Sequence, residues 1–493
     1  MEIFELKQNN LPAVKARVDI PEYDRGKVEG SVVHIGLGNF HRAHQAYYLD
    51  VLLNRGITRA GIFEMNIVPD AFPLADIFAR QDRLYTLITK SPDGAASARV
   101  IGAITGYLNA SRDKENGISR LADDRTKLVT LTVTENGYYY DKKSGGPDMS
   151  DPAVRHDLEN PVDPSTAAGF LSAALKRRYE NGRAPLTVMS CDNIPSNGHV
   201  LESCVMAFCR ELYPEIVRWI EDSVSFPCSM VDRITPGTTP ELVDELKNSY
   251  ALSDAWPVCG EDFIQWVLED NFKTRVPDYA AAGVQVVKGV EPYEFMKMRL
   301  LNGGHAALGF SSYLLGFRMV DEAITHPPMM NFIRKHYMEE VTPTLEPVPG
   351  IDLNAYKDTL VSRFSNKSIA DTILRLTAFS SVRFTNFVLK PLSIAIQRGL
   401  PHKAITFAVA GCARFLSGTD EEGRPIPVES DIDDVKALKK AAAGALDSPG
   451  DFFSKVGTLD LNGKELQAFE VEFKECLSAI YNRGIAGVLD ALL

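Results

Sequence analysis

Ser31-Val32-Val33-His34-Ile35-Gly36-Leu37-Gly38-Asn39-Phe40-His41 is the stretch on which the fold turns. Its first five residues read as a buried strand. Gly36-Leu37-Gly38 then makes a turn, and a helix is expected from Arg42 to Asn54. Strand, glycine turn and helix is the setting in which backbone N–H groups hold a pyrophosphate. The pattern is G-x-G-x-x-H, so the third glycine, which normally permits close helix–sheet packing, is missing. A second strand is expected over Ala60 to Val68, with Asp70 just past its end. An acid there can accept hydrogen bonds from an adenosine ribose and would repel a 2′-phosphate, which favours NAD over NADP. The plainer reading of Asp70 is a solvated turn aspartate beside Pro69, and its distance from the glycines exceeds the usual ~20 residues.

Working outward, strand-like runs follow at Leu84–Thr89, Arg99–Thr105 and Leu128–Thr134, the last ending in the turn Glu135-Asn136-Gly137. A helix over Ser165–Asn181 leads to a strand at Leu186–Ser190 and then to Cys191-Asp192-Asn193. Strands alternating with helices predict an α/β, Rossmann-like doubly wound sheet with ligands at the carboxyl ends of its strands. Gly36, Asp70, Thr134, Glu135 and Asn193 all fall at such ends. From Gly198 to about Gly283 the pattern loosens, with an apolar helix at Val200–Leu212 and an aromatic helix at Phe263–Asn271. A last strand at Val284–Val287 precedes a region that reads almost wholly as helix, including segments at Met329–Glu340 and Ile369–Ser380. The expected plan is a dinucleotide-binding domain over 1–287 and a mainly helical substrate domain over 288–493.

With 493 residues, two large domains are the default. A composition 45% hydrophobic and 24% charged is that of a globular protein, and a net charge of −12 argues against nucleic acid or an anionic membrane as partner. The seven scattered cysteines include no C-x-x-C pair, which suits reduced thiols better than disulfides or structural zinc. Met1–Asn10 has no apolar h-region, and no apolar run approaches the ~18 residues of a membrane span. The expectation is a cytoplasmic protein. His41-x-x-His44 suggests a metal pair but offers no third ligand, so no metal is expected.

At the junction lies Tyr293-Glu294-Phe295-Met296-Lys297-Met298-Arg299-Leu300-Leu301-Asn302-Gly303-Gly304-His305. Read as α-helix at roughly 100° per residue, it projects Lys297, Asn302 and His305 at about 0°, 140° and 80°, on one broad face. A surface lysine, a capping asparagine and a core histidine would be the bland reading. Clefts between domains are favoured ligand sites, which lends weight to the chemical one. Tyr293-x-x-x-Lys297 matches the tyrosine-based pair of short-chain dehydrogenases. It lies beyond the whole length of such an enzyme, counted from Gly36, so the tyrosine is not expected to act as base.

These segments resemble the mannitol dehydrogenase family, the polyol-specific long-chain dehydrogenases that also include fructuronate reductases. The matching stretches are His34 to Ala46, Thr132-Val133-Thr134-Glu135-Asn136-Gly137-Tyr138, Met189-Ser190-Cys191-Asp192-Asn193, Met230 to Pro236, Trp266 to Phe272, and Lys297 to His305. The resemblance implies zinc-independent, NAD(P)-dependent oxidation of a sugar-alcohol hydroxyl, with ketose reduction in reverse, by a monomer. It implies Lys297 as general base, Asn193 and Asn302 as the alkoxide clamp, His305 as a substrate-orienting group and Glu294 as the acid linking the lysine to solvent. Asp232 and Arg375 resemble residues that line the polyol site, and Arg383 of Ser380-Ser381-Val382-Arg383 takes the place of a lysine in many members. Gly36, Gly38, Phe40, His41, Arg42, Asp70, Thr134 and Glu135 are expected at the dinucleotide.

The chemistry agrees, since hydride transfer from an alcohol needs a base for the hydroxyl proton and donors for the developing oxyanion. Phe63-Glu64-Met65-Asn66-Ile67 resembles the fructuronate reductase branch, and Arg383 would suit a carboxylate. Asn302-Gly303-Gly304-His305 followed by Ala306-Ala307-Leu308-Gly309 resembles the mannitol branch. A mannitol- or arabinitol-type polyol is therefore favoured over a uronate. A dinucleotide-binding redox sensor with a dead active site would be expected to lack the base, whereas Lys297, Asn302 and His305 are all present.

Overall fold

The computed structural model describes residues 2–70 and 73–492. It divides into two compact units, one comprising Met1–Ser91 and Ala95–Glu291, the other Pro92–Gly94 and Pro292–Leu493. No helix among the described residues is long and apolar enough to cross a membrane.

In the first unit, six strands form one parallel sheet: β1 (Glu29–Ile35), β2 (Ala60–Asn66), β3 (Ile104–Asn109), β4 (Leu128–Leu131), β5 (Leu186–Ser190) and β6 (Val224–Ser225). Their order across the sheet is β6-β5-β4-β1-β2-β3. This is the 3-2-1-4-5-6 order of dinucleotide-binding sheets, with its switch point between β1 and β4. Alternation along β1 sends Val33 and Ile35 into one apolar core with Phe170, Leu171 and Val188. Val32 goes into another, with Leu49, Leu52 and Ile62. Both faces are therefore covered, which is why these strands read as continuous apolar runs rather than as alternating ones.

Several elements depart from the expected plan. The helix after the glycine turn is two pieces, Asn39–Ala43 and Gln45–Asn54, broken at His44 (φ −124°, ψ −86°), whose ring Nε2 reaches the Gln265 carbonyl at 2.8 Å. The runs at 84–89 and 99–105 do not both join the main sheet. Tyr85–Lys90 and Ala96–Ile101 pair antiparallel and, with Val258–Glu261, make a separate three-stranded sheet. The Phe263–Asn271 segment is not a helix. Gln265–Glu269 is a strand paired antiparallel with Ser229–Asp232 and parallel with Gln285–Val287. Its spacing of Phe263, Trp266 and Val267 mimics a helical face over too short a run, and the buried Trp266-Val267-Leu268 centre fits a sandwiched strand better.

The second unit is helical. Among its described residues are three π-helical turns, Lys297–Asn302, Phe332–Tyr337 and Thr385–Leu389. The helix expected over Ile369–Ser380 shortens to Ile373–Thr377, because Ala370 adopts φ +52° and Thr372 then caps the new start by accepting from Arg375 N–H. Ser380 in turn caps Ser381–Phe384 by accepting from Arg383 N–H. These two short helices carry Arg375 and Arg383.

Candidate active site

A cavity of about 370 Å³ in the first unit opens at the carboxyl ends of β1, β2 and β4. Gly36, Gly38, Asn66, Asp70, Thr132, Val133 and Thr134 are among its lining residues. Gly36 has φ +109°, and a Cβ on it would lie 2.1 Å from the Thr132 carbonyl oxygen. Only glycine lets the turn after β1 pass so close to the end of β4. Asn66, the last residue of β2, fixes that turn by accepting from Leu37 N–H at 2.9 Å, and its amide donates to the Asp70 carboxylate at 2.8 Å. The Tyr107 hydroxyl donates to the same carboxylate. Asp70 is thus a held acceptor on the cavity wall rather than a loose turn residue.

The other residues expected at the dinucleotide sit differently. Phe40 stacks on His44, with ring centroids 4.9 Å apart. Arg42 is fully buried, lies over the Trp256 ring and donates to the Trp256 carbonyl and the Asn39 amide oxygen. Glu135 is exposed at the start of a short 3-10 turn and is not among the cavity-lining residues. His41 is buried beneath the turn, its ring stacked 3.4 Å from that of His34 and its Nε2 2.8 Å from Glu64 Oε1.

His34, His41 and Glu64 bring three potential ligand atoms within 4.8 Å of one another, a grouping that the His41-x-x-His44 pattern did not suggest. Both His34 nitrogens are already engaged, Nδ1 with the Thr130 hydroxyl and Nε2 with the Gly36 carbonyl and Thr132 hydroxyl. A carbonyl only accepts, so Nε2 carries the hydrogen and Nδ1 accepts from Thr130. Burial pushes both imidazoles down to about 3 and the Glu64 carboxyl up to about 7. Two stacked neutral rings and a carboxyl are a hydrogen-bonded support for the glycine turn.

In the second unit, a pocket of about 110 Å³ is lined by Asn302, His305, Phe310, Arg375, Arg383 and Phe384, among others. Four of the predicted substrate-side residues therefore meet in one place. The π turn changes the geometry expected of Lys297 and Asn302. With i→i+5 bonds each residue turns through less than 100°, so Lys297 and Asn302 stand closer together around the axis than the about 140° expected of an α-helix. Lys297 and Glu294 are buried, and neither is among the pocket-lining residues. Arg375 pairs with Asp371 through two hydrogen bonds. Arg383 is exposed, and its guanidinium has no hydrogen bond or ion pair among the described residues.

Asn302 Oδ1 and His305 Nε2 are buried polar atoms without a hydrogen-bond partner among the described residues. Orphaned buried polar atoms are costly unless a ligand or water satisfies them, and both of these residues line the pocket. His305 stacks on Phe364 at 4.2 Å. Burial, reinforced by the positive charges of Arg375, Arg363 and Lys297, holds its imidazole well below the usual range. A neutral imidazole can orient a hydroxyl as donor or acceptor. The His305 ring is expected to show no titration by NMR between about pH 5 and 8; a midpoint within that range would mean that it takes up a proton. Linkage gives the same sign. Below the ordinary imidazole value of 6.5 the unfolded chain binds a proton that the folded chain refuses, so this group makes stability fall as pH drops below that value.

The remaining predicted residues belong to the first unit. Asn193 is exposed just beyond β5, and Asp232 is buried at the end of Ser229–Asp232. Tyr293, buried in the second unit, donates its hydroxyl to the Pro349 carbonyl at 2.7 Å.

A family model described as the mannitol dehydrogenase Rossmann domain matches residues 30–280, and the mannitol dehydrogenase C-terminal domain matches 289–477. The chain belongs to the mannitol dehydrogenase family. It is 37% identical to mannitol 2-dehydrogenase of Neosartorya fischeri, over 100% of this chain and 99% of that one. It is 39% identical to mannitol 2-dehydrogenase of Emericella nidulans, over 91% of each. Among solved structures it resembles Pseudomonas fluorescens mannitol 2-dehydrogenase in a ternary complex with NAD and D-mannitol (TM-score 0.89, 36% identity, 99% of each chain). It also resembles a D-sorbitol dehydrogenase in substrate-free form (TM-score 0.86, 33% identity, 98% of this chain and 100% of that one).

Within this member of the mannitol dehydrogenase family, Lys297, Asn302 and His305 share one π-to-α segment of the C-terminal domain. Sequence reasoning missed three supports: Asn66, which joins the glycine turn to Asp70; the His34–His41–Glu64 group, of which only His41 is expected to act, and that at the dinucleotide; and Asp192. Each lies inside a quoted motif, yet its task depends on a partner distant in sequence, so no local spacing reveals it.

Proposed function

We propose that the chain is an NAD-dependent polyol dehydrogenase that interconverts a mannitol- or arabinitol-type sugar alcohol and its ketose. The observation that carries this reading is the pocket where orphaned polar atoms of Asn302 and His305 face the same space as Arg375 and Arg383. Such a lining suits a neutral, many-hydroxyl ligand better than an apolar one. The glycine turn, which a Cβ would block, and the held carboxylate of Asp70 fit a dinucleotide whose adenosine ribose carries free hydroxyls.

The bound nicotinamide supplies the hydride acceptor in oxidation and the hydride donor in reduction. Lys297 takes the hydroxyl proton as the carbinol C–H bond is broken, and returns it in ketose reduction. Asn302 and Asn193 donate amide N–H to the oxygen on which negative charge develops, without a proton transfer of their own. Neutral His305 orients the reacting carbon by a hydrogen bond, and Glu294 passes the lysine proton toward solvent. Asp232, Arg375 and Arg383 hold the remaining hydroxyls.

Because a guanidinium at Arg383 could also bind a carboxylate, the decisive assay compares fructose, xylulose and fructuronate, each with NADH and with NADPH. Catalytic efficiency is expected to be highest with a neutral ketose and NADH. A preference for fructuronate would overturn the substrate assignment, and a preference for NADPH would overturn the role given to Asp70.

A further inference from the structure

Asp192 stands between Ser190, the last residue of β5, and Asn193, and its side chain points away from solvent. Its carboxylate makes three contacts with the segment that follows β4. Oδ2 accepts from Val133 N–H at 3.0 Å and from the Tyr138 hydroxyl at 2.7 Å, and Oδ1 accepts from Thr134 N–H at 2.9 Å. Thr134 has φ +66° and ψ 166°, a conformation that a β-branched residue keeps only under external restraint. Val133 and Thr134 also line the first-unit cavity, together with Gly137 and Tyr139. On its other side the backbone carbonyl of Asp192 accepts from Ile194 N–H and the Asn197 amide, fixing the bend that carries Asn193.

We infer that Asp192 is a positioning residue whose carboxylate holds the Val133–Thr134 wall of the dinucleotide cavity in its strained form and thereby sets dinucleotide affinity. This rests on the dinucleotide reading of that cavity. An asparagine would preserve size but offer N–H to one of two backbone N–H groups, so at least one contact becomes donor against donor. The strain at Thr134 would then be released and the wall would move. A glycine at position 134 adopts positive φ without strain, so the wall has no strain there for the carboxylate to restrain.

The test is equilibrium titration of the full-length chain with NADH, followed by nicotinamide fluorescence, alongside thermal unfolding. Asp192→Asn is expected to weaken NADH binding by about tenfold or more. Thr134→Gly alone is the reference, and adding it to Asp192→Asn is expected to bring the affinity back to that of Thr134→Gly alone, a non-additivity that a merely structural role would not produce. Folded Asp192→Asn with wild-type affinity, or a folded double variant that stays as weak as the single one, overturns the proposal. Should Asp192→Asn alone fail to fold, the double variant is expected to fold and bind, and its failure in either respect also overturns it. A wild-type chain that binds neither NADH nor NADPH overturns the dinucleotide reading itself, an outcome distinct from the loss of Asp192's role alone.

Discussion

Replacing Lys297 with alanine is expected to lower turnover by about 10²- to 10⁴-fold, the usual contribution of a general base, while leaving NADH affinity nearly unchanged. The amine belongs to a buried side chain on the π turn of Lys297–Asn302, in the second unit, whereas the glycine-turn cavity lies in the first. Loss of the amine removes the proposed proton acceptor and alters none of the residues proposed to hold the dinucleotide. Single-turnover rates of ketose reduction, measured together with an NADH titration, separate the two effects. An unchanged single-turnover rate would sink the assignment of the base. Tyr293→Phe is the informative control, because its hydroxyl is spent on the Pro349 carbonyl. Near-normal turnover is expected from that variant, and a loss as deep as that of Lys297→Ala would revive the short-chain type of chemistry.

The dinucleotide half of the fold was largely legible because its signals are local. β1, the glycine turn and β5 follow from apolar runs closed by turn residues, and the expected and observed bounds of β5 coincide. What failed was tertiary in origin. Gln265–Glu269 became a strand because two partners on either side pair with it. The Tyr85–Lys90 and Ala96–Ile101 hairpin left the main sheet because Val258–Glu261 supplied another. In the second unit the residues of the candidate site were legible as types, a lysine, an asparagine and a histidine. Their mutual orientation was not, since α-helical periodicity does not apply across a π turn and π turns carry no periodic signature of their own.

That orientation depends on Gly303, and Gly303→Ala is expected to cost about 10²-fold in turnover although the residue touches no reacting atom. A Cβ on Gly303 would lie 2.6 Å from the Tyr337 hydroxyl oxygen and 2.7 Å from the Phe387 carbonyl oxygen. Tyr337 closes the π turn Phe332–Tyr337, Phe387 lies in Thr385–Leu389, and Gly303 directly follows Lys297–Asn302. All three π turns thus converge on a space that only a hydrogen atom fits. The Phe387 contact is main chain and cannot rotate away, so the added methyl must push its own helix outward. Asn302 is the adjoining residue and moves with it, and the alignment of Lys297 with Asn302 is lost. Displacements of about 1 Å at reacting groups cost rates of this order, while overpacking of a core site costs about 1–3 kcal/mol of stability. The variant should therefore remain folded, with a modestly lowered melting temperature and unaltered NADH binding. Tyr337→Phe removes one of the two obstacles, and the Tyr337 hydroxyl it deletes is buried with no hydrogen-bond partner among the described residues. On its own that change should be nearly neutral, and combined with Gly303→Ala it should recover only part of the rate, because the Phe387 carbonyl still stands in the way. Wild-type turnover in a folded Gly303→Ala variant would show that the π register can absorb a methyl and that the alignment of Lys297 with Asn302 does not limit the chemistry.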